Sequence, residues 1–252
     1  MNLRTAGSSL VFQLRHLLPT WLFLDRPISS WPAIVGRIHG IRVPRGVRRK
    51  RVPSPAGNAN INIILELVRC TRSVPGDLAE CGVFRGFTLV PMAVYVLQEG
   101  MSKSILGFDS FQGFDGSIGK DLEIGGAESM HRRLGGFSDT SEQLVAEKLR
   151  LFGVQPIVAL VPGYFRDSLA AFSQSRFSFV HLDCDTHDSY SECLSFFYPR
   201  LNEGGIILFD EYDDPVWPGC KLAVDEYLAD KAEKLQLIMK DNYQKFYIQK
   251  LP

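Results

Sequence analysis

Apolar positions after residue 60 fall into two rhythms that alternate along the chain. Ile61–Arg69 repeats at helical spacing until Pro75-Gly76 interrupts it, and Asp77–Val83 (DLAECGV) then reads as a strand. Further helices are predicted at Gly86–Gln98, Ser141–Phe152, Arg166–Ser173, Ser189–Leu201 and Lys221–Ala232. Strands are predicted between them at Ser104–Asp109, Pro156–Val161, Phe177–Asp183 and Gly205–Asp210. Two β-rich runs, Leu235–Lys240 and Lys245–Gln249, flank Asp241-Asn242, a turn pair that suits a hairpin. Strands alternating with helices imply a parallel sheet covered on both faces. The expected fold class is therefore α/β, a doubly wound Rossmann-like sheet with one antiparallel edge strand. Such sheets bind ligands beyond the carboxyl ends of their strands, so the loops after Glu80, Asp109, Val161, Asp183 and Asp210 should converge.

The beginning of the chain is a different material. Residues 1–51 hold ten Arg or Lys against one acid, Asp25, so the remainder stands at −9 although the whole chain carries no net charge. The stretch 42–60 (RVPRGVRRKRVPSPAGNAN) has no apolar periodicity and reads as a linker. The expected division is a basic arm and linker, 1–57, and one domain, 58–252. The arm reads as a lid or a dimerisation arm, the latter implying a homodimer or higher homo-oligomer; membrane-surface contact and targeting are the other readings. A balanced total charge offers no electrostatic case for a nucleic-acid partner. Gln13, Arg15, His16 and Pro19 interrupt the apolar run Leu10–Leu24, so no transmembrane segment is expected. Five cysteines without CxxC pairing suit a reducing, cytoplasmic compartment.

The candidate chemistry lies at strand ends. In Glu80-Cys81-Gly82-Val83-Phe84-Arg85-Gly86 the glycines let the backbone turn tightly and approach a ligand, and the following helix start offers free N–H groups. Asp109, followed by Ser110, ends the next strand where an acid can accept the ribose hydroxyls of a nucleoside cofactor. Gly163 and Phe165 would line the far side of that cleft. Two apolar strands then end in acids, LDCDTHD at 182–188 and FDEYDD at 209–214, so Asp183 or Asp185 should meet Asp210 and Glu211 on one rim. Like charges held together are costly unless a cation joins them, and oxygen donors select a hard cation such as Mg²⁺. Asp183, Asp185 and His187 are the candidate proton acceptors. Cys184 lacks a histidine relay and is not read as a nucleophile.

Six blocks, AECGVFRG, FDSFQGF, PGYFRDSL, LDCDTHDSY, YPRLNEGG and FDEYDD, stand in this order between residues 79 and 214. Together they resemble the macrocin O-methyltransferase family, metal-dependent enzymes that methylate sugar hydroxyls on natural products. The likeness extends over roughly Asn58 to Gln249. It implies a class I methyltransferase sheet, S-adenosylmethionine as cofactor and a small hydroxylated substrate. The cofactor set it suggests is Glu80, Cys81, Gly82, Gly86, Asp109, Ser110, Gly163, Phe165 and Asp183, with Mg²⁺ on Asp183, Asp210 and Glu211. Cys184 stands where the family pattern has glycine, Glu211 where it has a second aspartate, and Thr186-His187 where it has a more apolar step.

Two rivals differ in what they require. A nicotinamide-dependent dehydrogenase needs the glycine turn and the ribose-binding acid but not the paired acids of the later strands. A non-catalytic relative would bind cofactor without transferring methyl. The long, glycine-rich insertion Gln112–Thr140 is expected to close over the cleft as a lid.

Overall fold

The computed structural model describes residues 58–114, 119–124, 137–240 and 243–252. The basic arm, the Asp241-Asn242 turn and residues 115–118 and 125–136 of the insertion lie outside the described residues. Seven strands, β1 (Asp77–Cys81), β2 (Ile105–Asp109), β3 (Val158–Pro162), β4 (Phe177–Leu182), β5 (Leu201–Phe209), β6 (Gln236–Lys240) and β7 (Tyr243–Gln249), form one sheet in the order β3-β2-β1-β4-β5-β7-β6. The first five pair in parallel. β7 runs antiparallel to β5, and β6 turns back beside it, so the closing hairpin makes the edge.

Helices cover both faces, as alternating strands and helices require. On one face α1 (Asn58–Cys70), α2 (Leu89–Gln98) and α4 (Glu142–Leu151) bury Ile63, Met92 and Leu149 against Leu78, Ile105 and Leu208. On the other, α6 (His187–Phe197) and α7 (Pro218–Leu228) bury Tyr190, Phe197 and Val224 against Phe108, Val180 and Phe209. Between β2 and α4 lies α3 (Gly119–Ile124), and after β3 comes a single helical turn, α5 (Phe165–Ser168). Among the described residues no helix is long and apolar enough to cross a membrane.

Element boundaries depart from the sequence pattern for local reasons. The helix expected from Gly86 begins at Leu89, because Gly82, Phe84 and Gly86 take φ of 93°, 47° and 74° in the turn before it. The expected helix Arg166–Ser173 is α5 followed by a 3₁₀ turn, Leu169–Phe172. The helix expected at Ser189–Leu201 starts earlier, where the Thr186 hydroxyl caps it by accepting the Ser189 amide, and stops at Phe197 before the 3₁₀ turn Tyr198–Arg200. Pro199, with no amide to donate, cannot extend the α-helical ladder there. The last parallel strand begins at Leu201 rather than Gly205.

Candidate active site

Strand register builds the site. Glu80 of β1 pairs with His181 of β4, and His181 pairs with Leu208 of β5, two residues before Asp210. Side chains alternate along a strand, so Glu80, His181, Asp183 and Asp210 share the face covered by α1. Gly82 lets the rims of β1 and β4 close up: a Cβ there would stand 1.6 Å from the Asp183 carbonyl oxygen. The loops meet as expected. The Asp183 amide donates to Cys81 O at 2.9 Å, the Asp210 amide to Leu182 O at 2.9 Å and the Gly163 amide to Asp109 O at 2.9 Å.

Ligating atoms of His181, Asp183 and Asp210 all lie within 4.8 Å of one another. His181 is fully buried, with Nδ1 3.0 Å from Glu80 Oε1 and Nε2 3.2 Å from Asp210 Oδ1. That same Oδ1 takes Asn60 Nδ2 at 3.3 Å and Lys245 Nζ at 2.6 Å. Burial alone would raise the Asp210 carboxyl, but Lys245 and His181 hold it well below the usual carboxylate range. Burial would lower His181, yet its bonds to Asp210 and Glu80 push it up to about 10. Asp183 is pushed up to about 7 by burial and by Asp210, against the opposing pull of His181.

Glu211 lies close enough to Asp183 for each carboxyl to influence the other. Its Oε2 accepts the Tyr190 hydroxyl at 2.7 Å, and burial beside Asp183 and Asp210 drives its carboxyl well above the ordinary range. Asp185 holds a left-handed backbone, φ 62°, and is raised in the same way by burial, Asp183 and Asp210. His187 bonds to a different set of residues. Its Nδ1 is 2.8 Å from Asp188 Oδ1, and its Nε2 is 2.7 Å from Lys120 Nζ and 3.2 Å from Glu226 Oε2.

The cofactor positions divide. Asp109 accepts the Phe84 amide at 2.7 Å and the Phe111 amide at 2.6 Å, tying the first two loops together. Glu80 Oε1 accepts the Thr88 hydroxyl, while its buried Oε2 has no hydrogen-bond partner among the described residues. Gly86 and Gly163 have φ of 74° and 133°. Phe165 opens α5 half-buried against the α6 face. Cys81 is different, because its side chain is buried in the core beneath α6. The Ser110 hydroxyl serves its own turn, donating to Gly113 O at 2.9 Å.

Sequence reasoning passed over His181, Lys245 and Asn60. A signal for His181 was present: it is two residues before Asp183 in an otherwise apolar run, hence on the same face. Lys245 and Asn60 come from elements distant in sequence and carry no such signal.

The macrocin-O-methyltransferase (TylF) family pattern matches residues 57–249. The chain belongs to this family. It is accordingly an O-methyltransferase. The demethyldecarbamoylnovobiocin O-methyltransferase of Streptomyces niveus is 29% identical over 216 residues, covering 84% of this chain and 76% of that protein. The 8-demethyl-8-(2,3-dimethoxy-alpha-L-rhamnosyl)-tetracenomycin-C 4'-O-methyltransferase of Streptomyces olivaceus is 27% identical, over 85% of this chain and 82% of its own. The solved structure of the O-methyltransferase NovP superposes with a TM-score of 0.68 at 25% identity, covering 97% of this family member and all of that chain.

Proposed function

We propose that the chain transfers the methyl group of S-adenosylmethionine to a hydroxyl of a sugar or related natural-product scaffold, on the rim formed by Asp183, Asp185, Asp210 and Glu211. The observation that carries this reading is the convergence of Asp183 and Asp210 from adjacent strand ends, against the tight turn at Gly82. The sugar is suggested by the rhamnosyl acceptor in the Streptomyces olivaceus enzyme's name.

The acid cluster fits a hard divalent cation. Asp183 and Glu211 are both raised by burial beside other acids, a strain that a cation between oxygen donors would relieve. Asp183, Asp210 and Glu211 would hold Mg²⁺, while His181, committed through both ring nitrogens, orients Asp210. The orphaned Glu80 Oε2 and the backbone-anchored Asp109 carboxylate are fixed acceptors for cofactor donors. When bound, S-adenosylmethionine supplies the methyl group and Mg²⁺ lowers the pKa of the acceptor hydroxyl.

Asp185 takes the hydroxyl proton in this mechanism. It stands beside Asp183 and Asp210, and its left-handed backbone is the kind of strain found where a group must be aimed. His187, engaged with Asp188, Lys120 and Glu226, is not needed for it. The test is mass spectrometry of products after incubation with methyl-labelled S-adenosylmethionine, Mg²⁺ and a panel of deoxysugar-bearing acceptors. Calorimetry should show S-adenosylmethionine binding and negligible NAD binding. Preference for NAD would reject the reading.

A further inference from the structure

The insertion between β2 and α4 contributes one of the most deeply buried acids in the described residues. Asp121 of α3 has no exposed surface. Its Oδ2 accepts the amide of His187, the first residue of α6, at 3.0 Å. Its Oδ1 has no hydrogen-bond partner among the described residues and lies where Gly219 of α7 carries no side chain. A Cβ on Gly219 would stand 1.9 Å from that oxygen. The neighbouring Lys120 reaches His187 Nε2 at 2.7 Å and Glu226 Oε2 at 3.4 Å. Two consecutive insertion residues therefore grip the start of α6 together with α7.

That grip closes on a loop with a left-handed residue at its centre. Asp185 lies two residues before His187, with φ at 62°, a region that aspartate tolerates better than most residues but that gives its side chain a direction set by this one backbone state. Contacts from other elements hold the loop at its start, middle and end. At its start the Asp183 amide donates to Cys81 O at 2.9 Å, and at its middle the Cys220 thiol donates to Asp185 O at 3.0 Å. At its end stands Asp121. A buried carboxylate with one oxygen unpaired among the described residues is a costly anchor if it serves stability alone, and its bond to His187 goes to the loop backbone.

We propose that Asp121 is a positioning residue, through which the insertion sets the conformation of the Asp183–His187 loop and so aims Asp185. The aiming of a proton acceptor rests on the reading of Asp185 given above; the hold on the loop does not.

Hydrogen–deuterium exchange of the full chain, read on peptides spanning 184–190, tests the hold. Asp121→Ala should speed exchange there about tenfold or more, since local opening is no longer opposed. Asp121→Asn, which keeps an oxygen for the His187 amide, should restore protection. Gly219→Ala, which displaces the same carboxylate without changing the insertion, should copy Asp121→Ala and serves in its place if that variant does not fold. S-adenosylmethionine affinity should stay within about twofold, because β1 and β2 are untouched. In transfer assays on an acceptor the wild type turns over, Asp121→Ala should lower kcat about 10- to 100-fold without raising KM for S-adenosylmethionine, the scale for a misplaced reacting group. It should add nothing in an Asp185→Asn background. Unchanged exchange at 184–190 in both Asp121→Ala and Gly219→Ala, or no rescue by Asp121→Asn, overturns the proposal. Full transfer by Asp185→Asn with a loosened loop in Asp121→Ala would instead reject the proton-acceptor reading and leave the hold standing.

Discussion

His181 Nε2 stands 3.2 Å from Asp210 Oδ1, while the opposite ring nitrogen stands 3.0 Å from Glu80 Oε1. A neutral imidazole has a single N–H and cannot donate to two carboxylates, whereas an imidazolium donates to both. The bridge therefore favours a charged ring, and it runs across three neighbouring strands from Glu80 to the acid cluster.

Removing that ring should be expensive. His181→Leu leaves Glu80 and part of Asp210 without a buried counter-charge, which predicts a loss of about 3–5 kcal/mol in denaturant unfolding. The pH dependence has a fixed sign. A histidine raised to about 10 contributes stability that is fully present below its unfolded value of about 6.5 and is lost as pH rises through about 10. The gap between wild type and His181→Leu should narrow across that window; a constant gap would mean the ring is neutral throughout.

The turn at Gly82 carries two separate demands, a φ of 93° and a Cβ position 1.6 Å from backbone at Asp183. Gly82→Ala should cost about 2–4 kcal/mol, because the obstructing atom is a carbonyl that cannot swing aside. Gly100→Ala is the control. Its φ is 60° but nothing lies within 4 Å of the added carbon, so the conformational cost alone should appear, about 1–2 kcal/mol. Equal losses at the two positions, measured by chemical denaturation, would remove the steric argument.

Where the sequence pattern was legible, one physical rule governed the outcome. Nearly continuous apolar runs became β4 and β5, and acids at their ends fell on one rim because parallel strands all point their carboxyl ends the same way. Asp183 and Asp210 could be paired from that rule alone. Lys245 could not, because its place depends on β7 inserting antiparallel beside β5, and Asn60 depends on the docking of α1 over the sheet. Asp121 was hidden inside an insertion with no strong periodicity. His187, two residues from Asp185 in sequence, points to a different set of partners because a helix begins between them and turns its side chain toward Lys120 and Glu226.

Away from the site, Glu233 joins the end of the chain to the Tyr198 turn. Its Oε2 accepts the Tyr198 hydroxyl, and its Oε1 takes the Leu251 amide at 3.3 Å and the Lys250 ammonium at 3.3 Å. Burial would raise this carboxyl, but the Tyr198 bond, backbone amides and Lys250 bring it down to about 2. Its contribution is thus present above the unfolded value of about 4.3 and is lost as pH falls toward about 2. Glu233→Gln should cost about 1–3 kcal/mol at pH 7, with the difference vanishing over that acid window. A difference unaffected by pH would show that packing, not charge, is what the variant removes.

The two acids at the centre should respond in opposite ways to the same substitution. Asp210 is matched by His181 and Lys245, so Asp210→Asn strands buried Lys245, strips His181 of one of its two acids and should destabilise the protein by about 3–5 kcal/mol. Asp183 has no ion pair of its own among the described residues, and its carboxyl is raised to about 7 by burial and by Asp210. Its folded form keeps a proton that the unfolded chain gives up near pH 3.9, so this group costs stability increasingly as pH rises through that interval, fully so above about 7. Asp183→Asn does not titrate, and in metal-free protein at pH 8 it should be more stable than wild type by about 1–3 kcal/mol. The same variant should lose transfer activity and weaken Mn²⁺ binding, followed by electron paramagnetic resonance, because an amide oxygen is a poor substitute for a carboxylate toward a hard cation. Chelation of wild type should likewise stop transfer while leaving S-adenosylmethionine affinity in place. An Asp183→Asn protein that is less stable than wild type at pH 8, or that transfers methyl at full rate in excess EDTA, would refute a cluster strained for a cation and leave Asp183 as an ordinary structural acid.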